Sequence, residues 1–241
     1  MTDVTYAIGD IHGCYYQLDK ILELIRKDKR PDESAEIVFI GDYVDRGPEV
    51  KKVLDRVMAN DDSIPFICLQ GNHEQMCLEA YDGIEFMNWQ INGGKATDKS
   101  FLETNGGRVP NEYLEWMRGL PIDYETDHYI FVHAGLAPGQ SKDETHPDDK
   151  LWIRQEFLYS NYDWGKPVVH GHTPMQYPIV KSNRISIDTG AVFGHELTAA
   201  ILRGSEEPLF IQVPMPPGVP TLVKGKGPFS QCKFILIYET S

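Results

Sequence analysis

Aspartate, histidine and asparagine supply the oxygen and nitrogen donors that hold divalent cations, and in this chain they recur beside glycine about every thirty residues. The segments are Gly9-Asp10-Ile11-His12-Gly13, Gly41-Asp42-Tyr43-Val44-Asp45-Arg46-Gly47 and Gly71-Asn72-His73-Glu74, each following an apolar, β-branched run. Asp10 and His12, two positions apart just past a strand, can point to one side. The two oxygens of Asp42 can bridge two cations, and Asn72 offers a neutral carbonyl oxygen. His133 and His172 arrive from later in the chain. Such an inventory suits two metal ions sharing one carboxylate, roughly 3.5–4 Å apart, with a water between them acidic enough to react as hydroxide near neutral pH. Each piece alone has a plainer role: Asn72-His73-Glu74 could cap a helix, and Asp45-Arg46 could be a surface ion pair. Their joint placement favours a site.

The elements that must position these donors follow from apolar spacing. Val4–Ile8, Glu36–Ile40 and Ile64–Leu69 read as strands. Between and after them come helices with Leu18, Ile21, Leu22 and Ile25, then Val50, Val53, Leu54 and Val57, on one face, and a third helix from about Glu74 to Tyr81. This β-α-β-α-β-α order predicts parallel strands, whose carboxyl ends are where ligands bind and where each motif falls. From Gly83 to Arg118 the turn signals Asn92-Gly93-Gly94 and Asn105-Gly106-Gly107 predict short helices forming a cap or side wall, with Trp89 and Trp152 near its rim. Further strands are expected at Tyr129–Val132, Pro167–Val169, Arg184–Ile187, Leu197–Leu202, Leu209–Val213 and Lys233–Tyr238. Ser141–Lys150 reads as an acidic surface loop and Pro214–Pro220 as an extended connector.

With 36 acidic against 23 basic residues the net charge is −13, which repels nucleic acid in bulk. No apolar run approaches the roughly 20 residues that span a bilayer, and no signal peptide opens the chain. Cys14, Cys68, Cys77 and Cys232 show no paired spacing, so a reduced, cytoplasmic setting is expected. The chain length suits one domain, 1–241, with the motif-bearing core at about 3–202; no role is read for residues 203–241.

At these residues the chain resembles the phosphoprotein phosphatase branch of the calcineurin-like metallophosphoesterases, especially bacterial and phage-type members. The pattern continues in His133-Ala134-Gly135 and Gly171-His172. The resemblance implies an α/β fold of two sheets flanked by helices. It implies one ion on Asp10, His12 and Asp42, and a second on Asp42, Asn72, His133 and His172, with manganese expected and iron or zinc possible. His73 would be the general acid, oriented by Asp45, and metal-bound hydroxide would attack directly. Arg46 and Asn72 would grip the phosphate, joined by Arg154, the one arginine between the last two motifs; a solvated helix charge is its plainer role. The expected substrate is phosphorylated serine or threonine in proteins, or another small phosphoester, because Val44-Asp45-Arg46 matches the protein-phosphatase version of the motif. Diadenosine polyphosphate hydrolysis is the alternative, and a catalytically inactive phosphate-binding regulator the remote one.

Overall fold

Side-chain alternation along Thr2–Ile8 (β1) sets the layering of the molecule. Val4, Tyr6 and Ile8 pack in one cluster with Leu18, Ile21, Leu22 and Ile25 of Tyr15–Asp28 (α1), whereas Ala7 enters a second cluster with Phe131 and Val169. Glu33–Phe39 (β2) divides likewise, with Ile37 and Phe39 on the helix side and Val38 on the other. The first cluster also holds Val50, Val53, Leu54 and Val57 of Val50–Ala59 (α2). Phe66–Cys68 (β3) is followed by Asn72–Tyr81 (α3), and the segment after it folds as Phe86–Trp89 (α4), a π-helical turn Gln90–Gly94, Lys95–Ser100 (α5), Leu102–Asn105 (α6) and Asn111–Arg118 (α7). The remaining elements are Asp123–Glu125 (β4), Ile130–Val132 (β5), Pro147–Trp152 (α8), Gln155–Leu158 (α9), Val168–His170 (β6), Ile179–Lys181 (β7), Arg184–Ser186 (β8), Leu197–Arg203 (β9) and Leu209–Val213 (β10). The computed structural model describes residues 2–60 and 63–216.

Two five-stranded sheets result, in the orders β10-β9-β1-β2-β3 and β4-β5-β6-β8-β7. In each, three neighbouring strands run parallel: β1, β2 and β3 in the first, β5, β6 and β8 in the second. The sheets face one another across the cluster of Ala7, Val38, Ile40, Phe131, Val169 and Ile185, and Phe157 of α9 covers the outer face of the second with Ile130, Val132 and Val168. The fold is therefore the expected α/β sandwich, and both sets of parallel strands deliver their carboxyl ends to one site. Among the described residues no helix is long and apolar enough to cross a membrane.

Three element boundaries depart from the sequence reading for identifiable reasons. β2 begins at Glu33 because that polar residue is buried against Arg203, whose Nε donates to Glu33 Oε1 at 2.8 Å and whose Nη2 donates to Asp28 at 2.6 Å. The expected loop Ser141–Lys150 ends in a helix, α8. Its Pro147 is acceptable in a first turn, His146 Nδ1 accepts from Asp148 N, and Lys150 turns inward to Asp123 at 2.7 Å. α3 starts at Asn72, which puts Asn72 and His73 in its first turn. The strand expected at Lys233–Tyr238, and the connector beyond residue 216, lie outside the described residues.

The loops leaving β2 and β3 touch backbone to backbone. Gly41 has φ +99°, and a Cβ there would stand 2.5 Å from Gly71 N. This approach sets Asp42 beside the start of α3. Gly41→Ala is accordingly expected to lower the unfolding free energy by about 2–5 kcal/mol, from left-handed strain of about 1–2 and overpacking of about 1–3. Equilibrium urea denaturation measures it; a loss below about 0.5 kcal/mol, the size of a neutral surface change, would refute the contact.

Candidate active site

A buried carboxylate organises the loops that carry the motifs. Glu74, in the first turn of α3, accepts the backbone N–H groups of Asp42 at 2.9 Å and Gly71 at 2.9 Å on Oε2, and those of Tyr43 at 2.8 Å and Val44 at 3.1 Å on Oε1. Burial and the Asp42 carboxylate push its proton affinity up and the N–H donors oppose them. A protonated acid would need an acceptor, and Glu74 is surrounded by donors. The loop after β2, so held, turns the Val44 carbonyl toward His12 Nδ1 at 2.7 Å. The Ile40 carbonyl meets His133 Nδ1 at 2.9 Å in the same way. Each carbonyl fixes the ring proton on Nδ1 and leaves the Nε2 lone pair facing the site.

These lone pairs converge on Asp42. His12 Nε2 lies 3.2 Å from Asp42 Oδ2, and His133 Nε2 lies 3.4 Å from Oδ1. Asn72 Oδ1 stands 2.8 Å from His133 Nε2 and 2.9 Å from His172 Nδ1, and Asp10 accepts the His172 backbone N–H at 3.1 Å. Two groups of donor atoms each fit within 4.8 Å, His12 with Asp42 and His73, and Asp10 with Asp42 and His133; Asp42 belongs to both. Asp10 and His12 thus enter through different groups. His12 has φ +45°, so a left-handed turn rather than strand alternation aims its ring.

His73 Nδ1 meets Asp45 Oδ2 at 2.6 Å, and its Nε2 lies 3.9 Å from Asp42 Oδ2. Its backbone N–H, at the positive end of α3, donates to Asp42 Oδ1 at 3.1 Å. Arg46 Nη1 donates to His12 Nε2 at 2.6 Å, and its guanidinium lies 5.6 Å from the Phe193 ring centroid. Arg154 is exposed, but its guanidinium is held in place: Nη1 donates to the His172 carbonyl at 3.1 Å and to Thr173 Oγ1 at 3.0 Å, which directs the side chain toward His172. Nine of the ten candidate residues are therefore gathered around Asp42 or one partner removed from it, and Arg154 joins them through His172.

The charge pattern asks for cations. Burial and the carboxylates of Asp188 and Asp42 hold Asp10 well above the usual range. For Asp42 burial acts upward, but the imidazoles of His133, His73 and His12 hold it well below. Burial works against protonation of the candidate ligands His12, His133 and His172, and with Arg46 it pushes His12 down to about 4. The His172 Nε2 atom is buried without a hydrogen-bond partner. Clustered carboxylates, neutral imidazoles with inward lone pairs and an orphaned ring nitrogen fit a pair of divalent ions.

Three residues in this site were not singled out as functional by the sequence reading. Asp188 is buried two residues past the end of β8, as Asp10 is past β1 and His172 past β6; that shared offset was the signal for it. Glu74 was visible within its motif, but its four backbone partners were not. Trp89, read as core or wall beside the site, is buried as such, but its Nε1 donation to Asp45 at 2.9 Å was not foreseen. His170 is buried and bonds Ser186 Oγ at 2.7 Å, with its ring edge-on to Phe157, while His128 and His146 are exposed.

Residues 4–203 match the calcineurin-like phosphoesterase family. The chain is 28% identical over 219 residues to the asymmetrical bis(5'-nucleosyl)-tetraphosphatase PrpE of Anoxybacillus flavithermus, covering 80% of this chain and 87% of that one. It is 29% identical over 210 residues to serine/threonine-protein phosphatase 1 of Salmonella typhimurium, covering 81% and 90%. The cold-active protein-tyrosine phosphatase of a psychrophilic Shewanella shares the fold, with a TM-score of 0.61 at 17% identity over 88% of this chain and 80% of that one.

Exchanging the Glu74 carboxylate for an amide isolates its role. Glu74→Gln sets an NH2 group against two of the four N–H donors, a loss of roughly 2–6 kcal/mol by the cost of unpaired buried groups. The expected outcome is a folded protein of lowered melting temperature that retains less than half the metal of the parent after gel filtration. Undiminished metal content would show that the loops hold the ligands without Glu74.

Proposed function

This chain belongs to the calcineurin-like phosphoesterase family, and we propose that it hydrolyses phosphate monoesters at a dinuclear metal centre with His73 as proton donor. One observation carries the reading: the buried His73–Asp45 pair, 2.6 Å apart, adjoins a carboxylate shared by two groups of donor atoms. Asp10, His12, Asp42, Asn72, His133 and His172 would hold the two ions, and their carboxylate, imidazole and amide chemistry suits manganese, iron or zinc. When bound, the ions supply a nucleophilic oxygen at neutral pH and neutralise charge on the phosphoryl group. Arg46 and Arg154 hold phosphoryl oxygens through charge-assisted hydrogen bonds, with Asn72 as a further polar contact. Asp45 fixes the His73 ring through Nδ1, and a His73 that carries its second ring proton on Nε2 would pass that proton to the departing oxygen and be left neutral, with its remaining proton on Nδ1 toward Asp45. Cys14 takes no part: burial pushes its thiol up to about 12, far from the thiolate a nucleophile needs.

For the substrate we infer phosphoserine or phosphothreonine in proteins. Two guanidiniums match the charge of one phosphoryl dianion, and the chain is otherwise strongly acidic. A second reading, cleavage of dinucleoside polyphosphates, is favoured by Trp152. Its ring is 39% exposed, lies 6.1 Å from the His172 ring and is pinned by a 2.7 Å bond to Gln75, a surface on which a base could stack. The intact Val44-Asp45-Arg46 segment does not separate the two. Val44 bonds Glu74 and His12 through its backbone, and Asp45 holds His73, so the segment serves chemistry common to both substrates.

Chelator-stripped protein should be inactive toward an aryl phosphate and recover with manganese, and Asp42→Asn should be the most damaging single ligand change. Full turnover without metal would end the dinuclear reading. For the substrate, kcat/KM on a phosphothreonine peptide should exceed that on diadenosine tetraphosphate at equal manganese. A hundredfold preference for the dinucleotide, about 2.7 kcal/mol of transition-state discrimination, would reverse the assignment.

A further inference from the structure

Asp45 is fully buried and its carboxylate is gripped from the cap as well as by His73. Thr97 Oγ1 donates to Asp45 Oδ1 at 2.7 Å, and Trp89 Nε1 donates to Oδ1 at 2.9 Å and to Oδ2 at 3.1 Å. Thr97 Oγ1 in turn accepts the Asp45 backbone N–H at 2.9 Å, so one hydroxyl pins both ends of the residue. Trp89 and Thr97 are themselves buried, on α4 and α5. The π-helical turn between them closes on the neighbouring residue. The Gly93 carbonyl accepts the Arg46 N–H at 3.2 Å, and a Cβ on Gly93, whose φ is +122°, would lie 2.7 Å from Arg46 Cγ.

The geometry points to Trp89 and Thr97 as positioning residues for proton transfer: through Asp45 they fix the direction in which His73 presents Nε2. The inference rests on the reading of His73 as proton donor. Asp45 has φ +70°, a left-handed conformation that a non-glycine residue keeps only when its surroundings impose it. The cap shares in imposing it: Thr97 Oγ1 holds the Asp45 N–H and, with Trp89, its carboxylate. With either missing, the carboxylate can rotate about its terminal bond, and the ring it orients loses a single direction. Proton donation is worth about 10²–10⁴ in rate, and part of that factor depends on orientation. The effect must fall on substrates whose leaving oxygen needs a proton.

The test compares phenyl phosphate, whose departing oxygen is basic, with 4-nitrophenyl phosphate, whose is not, using the manganese-loaded full chain. Thr97→Val, close in shape, should lower kcat on phenyl phosphate about 10–100-fold and on 4-nitrophenyl phosphate less than about threefold, with KM and metal content unchanged. Thr97→Ser should restore the parent values, and Trp89→Phe should repeat the Thr97→Val pattern independently should either variant fold poorly. In a His73→Asn background, Thr97→Val should cost nothing further. Equal losses on both substrates for Thr97→Val and Trp89→Phe, while His73→Asn discriminates between them, would overturn the positioning role alone. Equal losses for His73→Asn itself would overturn the proton-donor reading on which it rests.

Discussion

A single buried side chain with four backbone donors, Glu74, is the constraint on which the site depends. The loop after β2 carries Asp42, Val44, Asp45 and Arg46, and three of its consecutive N–H groups end on this carboxylate. Because Glu74 belongs to the helix that also carries Asn72 and His73, the bonds set the spacing between the two motifs. The Val44 carbonyl, fixed by the same loop, selects the tautomer of His12 on a third. Removal of this anchor would leave unpaired N–H groups in a buried place, and each would cost about 1–3 kcal/mol.

The ligand shell shows why such a frame is required. Four aspartates (Asp10, Asp42, Asp45 and Asp188) and four imidazoles lie buried together, with the Arg46 guanidinium half-buried beside them, and like charges this close repel by several kcal/mol unless ions stand between them. Burial raises Asp10 and Asp188, and only the imidazoles hold Asp42 down. A loop free to relax would separate these groups. The parallel strands of both sheets, ending at one face, prevent it: β1, β2 and β3 supply one half of the donors and β5, β6 and β8 the other.

Sequence carried much of this and stopped at predictable places. The strand-helix alternation of the first eighty residues was legible because Leu18, Ile21, Leu22 and Ile25 repeat at helical spacing and bury together. The candidate ligands stood out because they sit close to glycines just past strands. Contacts across long separations did not: Trp89 and Thr97 are 44 and 52 residues from Asp45, and nothing local to either marks a donor to a carboxylate. Lys150 lies in the expected surface loop and Glu33 ahead of its expected strand, yet each is buried by an opposite charge far along the chain. Asp188 lies in Ile187-Asp188-Thr189-Gly190-Ala191, a segment that looked family-like, but with no histidine beside it the residue was given no role, although its offset from a strand matched Asp10.

Among the described residues, the non-glycine positions with left-handed backbone are His12, Asp42, Asp45, Arg46, Asn60, Glu85 and His172, and five of these line the site. Each such position costs about 1–2 kcal/mol, against about 0.5–1 for the extra chain entropy of a glycine there. Glycine would therefore be the more comfortable occupant of all five, but it has no carboxylate, imidazole or guanidinium to offer the site. A duplicated copy of this chain, relieved of turnover, would drift downhill, trading these side chains for a sturdier and inert scaffold. Decay of the chemistry in such a lineage would register first as a rise in melting temperature.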